Sequence, residues 1–193
     1  DYSPYKQFEN ETIYKSNTDP SRIIKVSSNQ IKLNLMTPLN SKDQEKYIQM
    51  VIDGYRFTKD FYDNENHKEY RKNLCEIFDI VKTDDNYLLI AMADCGEALN
   101  EMQEKQKRQK SHPLLFTNEQ VDSLLRTLKA MNEYGMGLYI ISLKSIAYDL
   151  KTNSLKFIRY GMVNKVLDYK FKQFGTKIFF SPFRLLKEKE DKL

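Results

Sequence analysis

Between Gly137 and Met162 the sequence GLYIISLKSIAYDLKTNSLKFIRYGM sets two apolar runs on either side of the polar turn DLKTNS, and Arg159 interrupts the second run just before Tyr160-Gly161. A guanidinium keeps its charge at any physiological pH, so at the exit of a hairpin it is either a working group or a replacement for one. The other side chains capable of chemistry are sparse. Cys75 and Cys95 lie twenty positions apart with no CxxC or Cys/His spacing, and His67 and His112 are remote from each other, a pattern that matches none of the usual zinc sites. Cysteines placed this way point to a cytoplasmic compartment. The sequon Asn10-Glu11-Thr12 lacks a secretory context and carries little weight.

These groups must be positioned by elements that the periodicity reveals. QFENETIY, SRIIKVSS and QIKLNLMTP read as three antiparallel strands separated by SNTDP and SSN. NSKDQEKYIQMVIDGYRFTKDFYD opens on a capping signal and repeats apolar residues at Tyr47, Ile48, Val51, Ile52 and Tyr55, which predicts a helix. NLCEIFDIVKTDDNYLLIAMADCG gives two strands across KTDDN, the second a continuous apolar run suited to burial on both faces. EALNEMQEKQKRQK is a charged helix. TNEQVDSLLRTLKAMNEYGM is a capped helix with Val121, Leu124, Leu125, Leu128 and Met131 on one face, ending at Gly135. The hairpin and a loop-like segment with an aromatic cluster follow.

The 193 residues are 40% apolar and 12% aromatic, enough for a core. No run approaches the ~18 apolar residues of a membrane helix, and the first residues have no signal-peptide pattern, so a soluble chain is expected, with a lost upstream segment left open by the start at Asp1. Charge is uneven. Residues 151–193 carry 11 basic and 4 acidic groups, a net of +7 within an overall +4, so the first 150 residues are net acidic. That basic end would suit a partner with an acidic surface, or serve as a solvated face.

The order of elements and several local sequences resemble a eukaryotic protein kinase domain, from its first strands to the end of its activation segment. NLCEIFDIVKTDDNYLLIAMADCGEAL resembles the strands that lead into the kinase hinge, which puts Met92 at the gatekeeper and Ala93, Asp94 and Cys95 in the hinge. LLRTLKAMNEYGM resembles the helix before the catalytic loop, SLKFIRYGM the strand into Asp-Phe-Gly, and GTKIFFSPF the close of an activation segment. The resemblance implies an α+β, two-lobed kinase-like fold, with a β-rich N-lobe over residues 1–95 and a partial helical C-lobe over residues 96–193. Later helices of a complete C-lobe would come from further chain or from a partner.

Phosphoryl transfer needs a carboxylate to take the substrate proton and oxygen ligands that hold Mg²⁺ on the phosphates. Under the resemblance, Leu138-Tyr139-Ile140 aligns with His-Arg-Asp, so Ile140 stands at the catalytic base. Ser142 falls on the catalytic-loop lysine, Ser145 on the metal-binding asparagine and Arg159 on the metal-binding aspartate. There the Arg159 charge would substitute for the metal, binding a phosphate or closing the site through a carboxylate; the plainer reading is an arginine reaching to the surface from a strand end. KSNTDPS, in the place assigned to the glycine-rich loop, has no glycine. The phosphate-pairing lysine falls on Asn34, or on Lys32 if the frame slips by two, and Glu45 is available as the helix glutamate that pairs with it. Phe183 replaces the glutamate of Ala-Pro-Glu.

The resemblance therefore implies a catalytically inactive pseudokinase, with no cofactor or metal, acting as a scaffolding subunit in a cytoplasmic assembly, for example cytoskeletal or ciliary. Its expected interface is the helix face Leu124, Leu125, Leu128 and Met131 together with Phe179, Phe180 and Phe183. Two other readings stay open: an unconventional active kinase using displaced carboxylates such as Asp149 and Asp168, and a basic nucleic-acid-binding domain. The second is disfavoured because the aromatics do not interleave with basic residues along strands. Metal-free binding of adenine at the hinge near Asp94 is also left open.

Overall fold

The computed structural model describes residues 1–8, 11–27, 41–85, 87–110, 115–138, 141–161 and 163–165. The first half is built on a five-stranded antiparallel sheet of β1 (Tyr2–Gln7), β2 (Glu11–Ser16), β3 (Arg22–Ser27), β4 (Ile77–Lys82) and β5 (Leu88–Ala93), in the order β1-β2-β3-β5-β4. The strand expected from SRIIKVSS is therefore the third, not the second. It was displaced because YSPYKQ, with Pro4 in its middle, does not read as a strand. Proline costs a ladder donor, but β1 lies at the sheet edge and its register shifts between Pro4 and Lys6, where that loss is tolerated. QIKLNLMTP, with Lys32 and Asn34, lies outside the described residues.

β5 turns Leu88, Ile90 and Met92 into the core and leaves Leu89, Ala91 and Ala93 half-buried, so this central strand is covered fully on one face only. The same alternation on β3 buries Ile23 and Lys25 side by side. Helix α1 (Ser41–Asp63) buries Ile48, Val51, Ile52 and Tyr55 as its periodicity requires. It also buries Met50 and Phe61, because it is wedged between β4 and the second half of the chain. A 3₁₀ helix (Glu65–Asn73), capped by the Asn64 side chain on the Asn66 N–H, leads back to the sheet.

The chain leaves the sheet at Ala93 and enters β6 (Glu97–Ala98), α2 (Leu99–Gln109) and α3 (Asn118–Glu133). Thr117 and Gln120 form a reciprocal capping box at the start of α3, and Gly135, at φ +88°, follows its end. β7 (Met136–Leu138) pairs with β10 (Val163–Lys165), whereas β8 (Ile146–Asp149) pairs with β9 (Ser154–Phe157) and β6. The hairpin is thus shorter than its apolar runs suggest, because the first run is shared between two small sheets.

The proposed apolar face of α3 is largely internal. Leu124 and Met131 are buried and Leu128 half-buried, and Ser123, Thr127 and Ala130 complete the packed side against the 3₁₀ helix, β7 and β9. Leu125, at 55% exposure, and Val121 are the apolar residues of this helix left open. The helix is amphipathic as its spacing predicts, but the buried stripe is rotated towards small polar residues that hydrogen-bond inside. Phe179, Phe180 and Phe183 lie outside the described residues. A single apolar cluster runs from Ile23 and Ile90 of the sheet, through α1, to Met131, Met136, Leu155 and Phe157 of the second half.

Candidate functional site: the interlobe cleft

A cleft of about 620 Å³ opens between the sheet and the second half, roofed by β1 to β3 and floored by the residues around Ser142–Ser145 and Ile158–Gly161. Lys25 is its deepest charged group. The β3 alternation that buries Ile23 carries Lys25 to the same face, leaving it only 4% exposed, and its Nζ donates to the Ile158 carbonyl at 2.9 Å. Burial depresses its pKa to about 8; the Glu11 charge opposes that shift and the Arg159 charge adds to it. Arg159 follows β9 and extends towards the roof, its guanidinium 3.5 Å from the Glu11 carboxylate at the start of β2.

Two further ion pairs span the same opening. Lys6 of β1 meets Glu101 of α2 at 2.5 Å, and Lys15 of β2 meets Asp94 at 2.6 Å. The Asp94 backbone N–H donates to the Ser21 carbonyl at 2.6 Å, so this hinge amide is already engaged. Met92 is fully buried beside the cleft. On the floor, the Ser142 and Ser145 hydroxyls lie 3.2 Å apart in a turn closed by the Ser145 N–H on the Ser142 carbonyl. Ile140 lies outside the described residues.

Tyr160, next to Arg159, is buried completely. Its hydroxyl accepts from the Cys75 N–H at 2.7 Å and donates to the Phe157 carbonyl, its ring meets Tyr55 edge-on, and burial raises its pKa. Arg159 is therefore held from behind by a packed neighbour. As the sequence reading expected, Arg159 reaches the surface, its side chain 45% exposed, and there it lines the cleft and pairs with Glu11.

The structure corrects two assignments. The cleft-facing lysine of β3 is Lys25; Lys32 and Asn34 lie outside the described residues. KSNTDPS joins β2 to β3, and at the β1–β2 connection it is Phe8 and Glu11 that line the cleft. Glu45 lies 4.0 Å from Lys82 of β4 and does not serve Lys25; α1 instead lines the cleft with Val51 and Tyr55. Lys25 has a signal in the sequence, a lysine two positions from an isoleucine on the inner face of a β-branched run. Glu11, Lys6 and Glu101 had none, because their partners are distant in sequence.

Asp149, a candidate displaced carboxylate, is spent on the hairpin. It accepts from Thr152 and the Lys151 N–H and lies 3.3 Å from Lys156; burial pushes its pKa up, but these contacts outweigh it and hold the carboxyl below its ordinary value. Asp168 lies outside the described residues. Among the described residues no group of three His, Cys, Asp or Glu side chains could hold a metal ion. Cys75 and Cys95 are joined in a disulfide, their Cα atoms 5.9 Å apart, which removes the basis for assigning a reducing compartment. Among the described residues no helix is long and apolar enough to cross a membrane.

Three solved structures of WbdD share this architecture. A co-crystal structure of WbdD with the kinase inhibitor LY294002 aligns over 82% of this chain and 32% of its own, with a TM-score of 0.58 at 11% identity. A medium-resolution structure of WbdD, described as a bifunctional kinase-methyltransferase, gives 0.54 at 10% identity over 81% and 30%. The fold is kinase-like. A monomeric WbdD gives 0.51 at 11% identity over 81% and 33%, so the chain spans about a third of the length of these proteins. No family model and no curated protein sequence matches the chain. At such identities the likeness concerns the fold alone, and within that kinase-like fold the five-stranded sheet and α1 form the N-lobe and the interlobe cleft is the one described above.

The depressed Lys25 gives a pH dependence whose sign is fixed. Between pH 8 and 10.5 the unfolded chain holds the lysine proton more tightly than the folded one, so stability rises with pH across that window. Relative to Lys25→Met, the protein should gain about 3 kcal/mol between pH 7.5 and pH 10.5 in urea denaturation. No relative gain would mean that the ammonium is hydrated when folded.

Proposed function

We propose that this chain is a catalytically inactive kinase-like domain that works as a protein-binding, scaffolding subunit of a larger assembly. The observation that carries the reading is the Arg159–Glu11 pair across the mouth of the cleft. Where a kinase needs an oxygen ligand for Mg²⁺, this fold offers a guanidinium, which repels a divalent cation, and the nearby carboxylate is already paired with it. Ser145 supplies a hydroxyl in place of the second metal ligand, and Ile140 supplies no base. Glu11, which lines the cleft at the start of β2, carries a charge that opposes phosphate. The residues present do not fit a magnesium-bound nucleotide, and no transfer step is assigned to them.

A second reading, metal-independent nucleotide binding, is favoured by Lys25 alone, which stands buried in the cleft with no α1 carboxylate paired to it among the described residues. A protein partner is favoured by the net charge of +7 over residues 151–193, which suits an acidic surface. The disulfide favours an oxidising compartment over a cytoskeletal or ciliary one.

Thermal denaturation with and without Mg-ATP tests the central claim. The expected result is no shift beyond ~1 °C at millimolar Mg-ATP, and no phosphorylation by Arg159→Asp above the parent, since that change restores neither base nor second ligand. A rise of several degrees that EDTA abolishes would overturn the reading.

A further inference from the structure

The cysteine pair is not a remote staple; it forms part of the cleft wall. Cys95 occupies the hinge between β5 and β6, Cys75 lies two residues before β4, and both side chains line the cleft. The Cys75 N–H donates to the Phe157 carbonyl and to the Tyr160 hydroxyl, so this residue anchors the segment that presents Arg159. Ala93, at the other end of the bridge, donates its N–H to the Glu76 carbonyl, next to Cys75. One covalent link therefore joins the hinge to the anchor of the Arg159 segment, and an interlobe hinge is where relative motion of the two halves must be absorbed.

We infer that the Cys75–Cys95 disulfide is a redox-controlled lock on the interlobe hinge, holding the cleft in its clasped form when oxidised and releasing it when a dithiol reductant opens the bond. The lock deepens the scaffolding reading, because a clasped cleft presents one fixed surface to a partner. The exchange runs in two steps. A reductant thiolate attacks the Cys95 sulfur, the more exposed of the two, forming a mixed disulfide and expelling the Cys75 thiolate, which takes up a proton. The reductant's second thiolate then displaces Cys95, which is protonated in turn. Both cysteines end as thiols and the reductant leaves as a cyclic disulfide, two electrons having passed to the protein. Cys75 and Cys95 are 1% and 5% exposed, so attack requires local opening at the cleft, and the Lys15–Asp94 pair lies directly over the hinge.

Alkylation and mass spectrometry of protein purified without reductant should find both cysteines protected. Amide exchange is then compared for oxidised protein, protein held in tris(carboxyethyl)phosphine or dithiothreitol, and Cys75→Ala/Cys95→Ala. Amides 74–76, 93–97 and 157–160 are expected to exchange at least about tenfold faster in the reduced protein, with slow exchange retained in α3. Reduction should also lower the melting temperature by roughly 6–12 °C, the effect of a closed loop of this size. The double alanine variant should match the reduced protein and ignore reductant. Lys15→Met should quicken reduction at fixed dithiothreitol. Free thiols in unreduced protein, or unchanged exchange at the hinge after proven reduction, would overturn the lock. Global unfolding on reduction would overturn it too, since the bond would then support the whole fold and not the hinge. None of these outcomes depends on Mg-ATP, so the lock and the loss of catalysis fail separately.

Discussion

Gly96→Ala is expected to destabilise the protein by about 3 kcal/mol or more, lowering the melting temperature by roughly 6–12 °C. Gly96 sits just past the hinge at φ +91°, where an L side chain is strained, and a Cβ there would stand 2.3 Å from the Tyr148 carbonyl oxygen. That oxygen belongs to β8, whose pairing with β6 joins the hinge to the second half through Glu97 opposite Tyr148 and Ala98 opposite Ala147. Backbone cannot swing aside as a flexible side chain does, so the β6–β8 ladder must shift. Gly135 is the control: its φ is +88°, but nothing lies within 4 Å of its Cβ position. Gly135→Ala should cost only the backbone strain, about 1 kcal/mol. If thermal melts give the two variants equal losses, steric contact with Tyr148 is not what fixes Gly96.

Asn73→Leu should cost about 3 kcal/mol in chemical denaturation, although leucine keeps the branched shape of asparagine. Asn73 is buried at the end of the 3₁₀ helix. Its Nδ2 donates to the Leu155 carbonyl at 2.7 Å, and its Oδ1 accepts from the Ser123 hydroxyl at 2.7 Å and the Thr127 hydroxyl at 3.2 Å. One amide thus ties the segment before β4 to α3 and to β9. Removing it strands a carbonyl and a hydroxyl away from water, each at about 1–3 kcal/mol, while Thr127 keeps its bond to the Ser123 carbonyl. Adding Ser123→Ala and Thr127→Val should recover part of the loss, because matched apolar partners leave fewer orphaned groups. A single-variant loss below about 1 kcal/mol, or no recovery in the triple variant, would show that this network is not what joins the elements.

The sequence by itself determined the elements whose pattern is local. The stripe of α1, the capping box and glycine stop of α3, the β4–β5 pair and the β8–β9 hairpin all follow from period, caps and turns within a few residues of one another. The kinase-like order was legible for the same reason, since each motif is a short run. Tertiary structure decided whatever depended on partners far away in the chain. Pro4 concealed β1 until its edge position made a missing donor harmless, and the lysine found in the cleft, Lys25, lies on the strand that β1 made the third. The α3 face read as an open apolar surface because Ser123 and Thr127 look polar in isolation, whereas Asn73, fifty positions upstream, satisfies them in the interior. The place of Arg159 at the end of the second apolar run was legible, but its partner Glu11 lies on a strand at the opposite end of the described chain. Cys75 and Cys95 looked unrelated until β4 and β5 paired antiparallel and brought the residues flanking them together. Spacing along a chain encodes the faces of helices and strands; which charges, amides and sulfurs meet is set by how those faces pack.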